Sequence, residues 1–246
     1  MKELKQALYK ISKTLFPNRC SVCGEVIELD AQVCEKCTKL PVIEPPLCAC
    51  CGSSKDDCTC KQHKNEFKQI VAPYYYTDSL VIAIHRFKNS EMPFLAKRLG
   101  ADMAKCVVEN YSDIDFDMIT FVPLRHFHKR KRGYNQSELL ADVVSDKIGV
   151  TVFDLLNKVR YTGVQHHKKA AQRAADVFGS YDVMDEYKNQ LDGKTILLID
   201  DVKTTGSTLN ECAKMLKIYG AKDVYCAAVA VTKKIDKISK VCISKL

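Results

Sequence analysis

Nine of the 13 cysteines fall between Cys20 and Cys60, and the remaining four, Cys106, Cys212, Cys226 and Cys242, are spread through the rest of the chain. A segment so rich in thiols and so short of apolar residues cannot hold itself together by a core, and must be organised by disulfides or by metal. CSVCG (Cys20, Cys23) and CEKC (Cys34, Cys37) are CxxC pairs, and each such turn aims two thiolates at one point. Two of them complete a closed tetrahedral zinc site. CACCG then offers Cys48 and Cys51, with Gly52 relaxing the knuckle, and CTC offers Cys58 and Cys60, leaving Cys50 over. These are eight ligands for two zinc ions. Sequential sites and an interleaved arrangement use the same eight residues. A disulfide framework would require export, and an iron-sulfur cluster is the other alternative, but four-cysteine ribbons with knuckle glycines favour zinc.

Ahead of the cysteines, Leu4, Leu8, Ile11 and Leu15 repeat at helical spacing up to Pro17, one face of an amphipathic helix. The polar stretch KQHKNEFKQ after Cys60 reads as a linker, so residues 1–64 form one unit and 65–246 another. No stretch approaches the roughly 18 uncharged apolar residues of a membrane helix, and the first residues lack the pattern of a signal peptide. The expected address is the cytoplasm. The four scattered cysteines are read as small buried hydrophobes. A net charge of +8 favours an anionic partner without naming one.

From about Ile70 the pattern alternates strands and helices. IVAPYYY and DMITFVPL read as strands, and SLVIAIHRFK, FLAKRLGADMAKCVVEN and QSELLADVVSDKIG as helices. TILLID and VYCAAVAV are continuous apolar runs of strand length, the mark of strands covered on both faces. The fold class is α/β with a largely parallel sheet. In such sheets ligands sit beyond the carboxyl ends of strands.

One of those ends carries LLIDDVKTTGSTL, residues 197 to 209. Backbone N–H groups at the start of the following helix and the hydroxyls of Thr204, Thr205, Ser207 and Thr208 make an anion site, with Gly206 allowing close approach. Asp200 and Asp201 taken alone are equally well turn residues and helix caps. The whole stretch, however, is similar to the phosphoribosyl pyrophosphate (PRPP) loop of type I phosphoribosyltransferases. That resemblance implies that Asp200 and Asp201 take the ribose hydroxyls and organise Mg2+, while Val202, Thr204, Thr205, Gly206, Ser207 and Thr208 line the phosphate cradle.

VPLRHFHKRKRGYNQSELLA (122 to 141) and RYTGVQHHKKAAQR (160 to 173) resemble the ComF competence family, which joins a double zinc ribbon to a phosphoribosyltransferase domain. The resemblance implies a pyrophosphate-side loop after Pro123 that includes Arg125, a helix opened by Gly133, Tyr134, Asn135, Gln136 and Ser137, and a lid bearing Arg160, Thr162, Gln165 and Arg173. Lys168 and Asp176 depart from the family's lid pattern. It also implies single-stranded DNA and a competence helicase as partners, PRPP with Mg2+ as ligand, and action in natural transformation. The run RHFHKRKR at 125 to 132 is by itself a solvated charged loop or an anion clamp. With the resemblance, Lys129, Arg130, Lys131 and Arg132 become candidate DNA contacts, and Tyr134 a face for base stacking. The alternative from another class is an active phosphoribosyltransferase that uses a nucleobase or related amine and releases pyrophosphate.

Overall fold

The computed structural model describes residues 17–20, 22–28, 31, 33–60, 65–89, 92–124, 133–159 and 179–233. The amphipathic stripe before Pro17, the basic run 125–132, the lid residues 160–178 and the C-terminal residues from 234 lie outside them.

The central sheet is built from β1 (Gln69–Val71), β2 (Tyr74–Tyr75), β3 (Met118–Phe121), β6 (Thr195–Lys203) and β7 (Asp223–Val231). Every pairing in it is parallel. Across the sheet the order is β1, β7, β6, β3, and β2 follows β1 along the same edge of β7. IVAPYYY, expected as one strand, is thus two short ones. Pro73 stands between them with no N–H to give to a ladder, which is where a strand edge breaks.

Three helices, α2 (Asp78–Lys88), α3 (Leu95–Asn110) and α4 (Gln136–Ile148), share one core with Leu197, Ile199, Ala227 and Val229. On the other face α5 (Ser207–Ile218) packs with Ile196, Leu198, Val224, Cys226 and Ala228. Successive residues of β6 and β7 therefore enter different cores, which is why both strands read as unbroken apolar runs. α3 and α4 approach closely at Gly100, where a β-carbon would lie 2.7 Å from the Val143 side chain. Cys106, Cys212 and Cys226 are buried, as expected of small hydrophobes, and burial holds their thiols above the usual range. Cys242 is outside the described residues.

A second, antiparallel pair, β4 (Leu156–Lys158) with β5 (Tyr181–Val183), was not anticipated from the sequence. Val159 N donates to Ser180 O at 2.9 Å, so the pair brings together the two ends of segment 160–178. Gly179 N donates to the buried Glu211 carboxylate on α5 at 2.6 Å, which fixes one of those ends beside the start of that helix.

The cysteine-rich segment contains one short helix, α1 (Glu35–Thr38), and two knuckles closed by the antiparallel bridges Arg19 to Val26 and Leu47 to Ser54. It extends the sheet edge. Ile43 N donates to Pro73 O at 2.9 Å, Tyr75 N to Pro41 O at 2.7 Å and Ile70 N to Ala49 O at 3.0 Å. The expected linker is shorter than its polarity implied, because Phe67 is 3% exposed in the α5-side core and Gln69 already belongs to β1. Among the described residues no helix is long and apolar enough to cross a membrane.

Candidate functional site

Two groups of four thiols form in the ribbon. The sulfurs of Cys20, Cys23, Cys34 and Cys37 lie within 4.8 Å of one another, and so do those of Cys48, Cys51, Cys58 and Cys60. The pairing is sequential rather than interleaved. Tetrahedral zinc with bonds of about 2.3 Å needs sulfur separations just under 4 Å. Contacts of 3.5 Å for Cys23 and Cys34, and of 3.3 and 3.7 Å from Cys58 to Cys48 and Cys51, suit that ion. Gly52, at φ +77°, makes the second knuckle turn, and its N–H donates to Cys48 O at 2.8 Å. Cys50 stays outside the cluster, with Asn65 Nδ2 donating to its carbonyl at 3.0 Å.

The second expected site lies at the carboxyl end of β6. This strand runs further than TILLID implied: it stays in register with β7 as far as Lys203, so both acids are on the strand itself rather than in the turn. The turn then closes through Gly206, whose φ of +83° is a left-handed conformation that a β-carbon would strain. Thr205 Oγ1 and Ser207 Oγ are 2.9 Å apart, and Ser207 N donates to Thr205 Oγ1 at 3.3 Å. Thr232 Oγ1 donates to Thr204 O at 3.0 Å, anchoring the turn on the β7 side. Thr204 and Thr205 are exposed, and Gly206, Ser207 and Thr208 half-buried, at the N-terminus of a 12-residue helix. Hydroxyl side chains and the start of a helix thus share one accessible corner of the molecule, as an anion cradle requires.

The acids are held from the opposite side. Ser137 Oγ donates to Asp200 Oδ1 at 3.3 Å, and Asp201 N donates to the same oxygen at 2.8 Å. Burial, followed by the adjacent Asp201 charge, pushes Asp200 up to about 7. Lys88, at the end of α2, pairs with Asp201 Oδ1 at 3.0 Å, the two side chains being 32% and 12% exposed. Burial opposes the charge on Lys88, but Asp201 and Asp200 outweigh it and hold its ammonium above the usual lysine value. Nothing in the sequence marks this residue beyond a basic side chain in the last turn of an expected helix.

GYNQS is the clamp that assembles these parts. Tyr134 donates its hydroxyl to Phe87 O at 2.5 Å, and Gln136 Nε2 donates to Phe87 O at 3.1 Å and Lys88 O at 3.3 Å. Asn135 Nδ2 donates to Val122 O at 3.1 Å, while its Oδ1 caps α4 by accepting from Ser137 N at 3.1 Å. One motif therefore ties the end of α2, Val122 just beyond β3 and the acid pair together. Tyr134, expected to offer its ring to a base, is half-buried with that ring 6.0 Å from Phe87. It has a packing task irrespective of any ligand. Arg125, Lys129, Arg130, Lys131, Arg132, Arg160, Thr162, Gln165 and Arg173 lie outside the described residues.

The ribbon reaches both sides of this site, which the sequence did not reveal. Arg86 Nη1, two residues before Lys88, donates to Cys23 O in the first knuckle. Lys203 Nζ, at the other side, donates to Cys51 O in the second at 3.1 Å. A cleft of about 410 Å³ opens between the second cysteine cluster and the hydroxyl turn, lined by Cys50, Cys60, Asn65, Thr205, Ser207 and Asn210 among others.

Comparisons with known proteins agree with this two-part construction. A family model described as double zinc ribbon domain matches residues 11–66, and one described as phosphoribosyl transferase domain matches 135–243. Competence protein F of Haemophilus influenzae is 28% identical over 219 residues, covering 85% of this chain and 95% of that protein. DNA utilization protein YhgH of Salmonella typhimurium is 28% identical over 209 residues, 83% of this chain and 86% of its own. Competence protein ComFC of Bacillus subtilis is 27% identical over 202 residues, 78% and 80% of the two chains. With a double zinc ribbon on the edge of a phosphoribosyltransferase-type sheet, the chain is similar along most of its length to competence protein F, ComFC and the DNA utilization proteins.

Proposed function

We propose that this chain acts as a ComF-family protein that binds magnesium PRPP at the carboxyl end of β6 and handles single-stranded DNA during natural transformation. The observation that carries the ligand is the adjacency of two acids and a hydroxyl-rich helix start on one strand end. Thr204, Thr205, Gly206, Ser207 and Thr208 would hold the 5-phosphate, beside Val202. Asp200 and Asp201 would accept from the ribose hydroxyls, because carboxylates suit hydroxyl donors and stand beside the phosphate rather than beneath it. Their carboxylates also fit Mg2+, an oxygen-seeking ion commonly bound by one or two carboxylates plus substrate phosphates. When bound, that ion would neutralise diphosphate charge.

The DNA part rests on the competence and DNA utilization names of the relatives and on the basic run after β3. If Arg125, Lys129, Arg130, Lys131 and Arg132 each meet a phosphate, log K for single-stranded DNA falls against log salt with a slope of about −3.5. Replacing Lys129, Arg130 and Lys131 by Ala then flattens the slope by roughly 2 and weakens all sequences alike. A slope unchanged by the triple substitution moves DNA binding off this loop. The deciding experiment for the proposed function is incubation with PRPP, Mg2+ and a panel of nucleobases, with and without single-stranded DNA, following pyrophosphate. PRPP bound without base-dependent pyrophosphate release supports the DNA-handling reading. Release that depends on one base identifies an active phosphoribosyltransferase instead.

A further inference from the structure

We propose that Lys88 is the residue by which this site distinguishes a ribose phosphate that carries a diphosphate from one that does not. The inference rests on the PRPP reading and adds a residue to it.

Its basis is placement. β6 lies between β7 and β3, and the two ends of the site divide between those neighbours. The hydroxyl turn is anchored on the β7 side, through Thr232 to Thr204 and Lys203. Lys88 approaches from the β3 side: the carbonyls at the end of α2 are held by Tyr134 and Gln136, whose neighbour Asn135 bonds to Val122 at the end of β3. A ribose centred on Asp200 and Asp201 with its 5-phosphate in the turn points its other end toward β3, where the ammonium stands. In the unliganded protein that ammonium is paired with Asp201 at 3.0 Å and is two-thirds withdrawn from water.

A cation in such a position costs desolvation unless it is paired, so it has a partner in each state. Without ligand the partner is Asp201. Once Asp201 accepts from the ribose, the diphosphate oxygens supply the replacement, and the lysine stem has the reach to turn from one to the other. A ribose phosphate without the diphosphate engages Asp201 through the same hydroxyls but offers Lys88 no replacement, so its binding gains nothing from the ammonium.

Titration calorimetry of the full chain with PRPP and Mg2+, and separately with ribose 5-phosphate and Mg2+, tests this. Lys88→Met should weaken PRPP by about 10- to 100-fold, the range of a lost charge-assisted contact, and ribose 5-phosphate by less than about threefold. Lys88→Arg should recover much of the PRPP affinity. Lys88→Gln, which keeps a donor for Asp201, replaces the Met variant if that one does not fold. Equal weakening of both ligands overturns the inference and makes Lys88 a holder of the acid pair only. Wild-type protein that binds ribose 5-phosphate but no more tightly PRPP overturns it as well, and binding of neither ligand removes the PRPP reading beneath it.

Discussion

Stripping the metal with a strong chelator unfolds the ribbon and lowers the melting temperature of what remains, while most of the helical signal survives. Among the described residues the ribbon forms no core separate from that of the α/β domain. Cys20, Val22, Cys23 and Cys37 are buried in the same cluster as Leu80, Phe87 and Leu99, so its first knuckle borrows the core of the α/β domain. Structural zinc supplies folding free energy outright, on the order of 10 kcal/mol per site in zinc-finger peptides. Loss of two such sites exceeds what the edge hydrogen bonds of Tyr75, Ile43 and Ile70 offset at about 1 kcal/mol each. The helices α2 to α5 keep both faces of the sheet covered, which is why their signal persists. Metal analysis before treatment should give two zinc ions per chain, one for each cluster. Circular dichroism that does not change after verified zinc loss would contradict the structural role.

Replacing Asp200 and Asp201 together by Asn abolishes stabilisation by PRPP with Mg2+. A ligand at about 100 times its dissociation constant stabilises a protein by about 2.7 kcal/mol, and this is the effect that should vanish in thermal unfolding. In the unliganded variant the change at 201 costs stability by leaving Lys88 without its charged partner, whereas the change at 200 offsets part of that cost. Asp200 is raised to about 7, above the ordinary carboxylate range, so its ionisation in the folded state is unfavourable. A raised acid pKa means that the folded state binds the proton more tightly, and stability falls through this group as pH rises from about 4 to about 7. Asn at 200 removes that slope. Ligand binding has the opposite sense, because ribose hydroxyls and Mg2+ both require the ionised acids. Affinity of the wild type should tighten from about pH 6 to about pH 8 and then level off, and Asp200→Asn should lose this dependence.

The parts of this architecture that were legible beforehand are those written in consecutive residues. Close cysteine pairs, three CxxC and one CxC, announced both clusters, the apolar runs of β6 and β7 announced a sheet covered on two faces, and DDVKTTGST marked the strand end. What stayed hidden is carried by separation along the chain. Lys203 meets Cys51 across 152 positions and Gln136 meets Phe87 across 49, and neither pair has a local signature. Lys88 looked like an ordinary basic residue closing a helix, a common placement opposite the helix dipole. β4 and β5 were missed because three-residue strands leave too short a period to read, and their pairing bridges the segment between them. IVAPYYY was read as one strand because its apolar character continues through Pro73, whereas the ladder does not.

Direct titration of PRPP into the wild-type chain, with Mg2+ and then without it, tests the central reading most closely. The arrangement of Asp200, Asp201 and the Thr204 to Thr208 turn predicts one saturable site per chain that needs Mg2+ for full affinity. It also predicts a rise in melting temperature that follows the same binding curve. Neither heat of binding nor thermal shift at millimolar PRPP with Mg2+ present, in protein shown to hold its zinc, would contradict it.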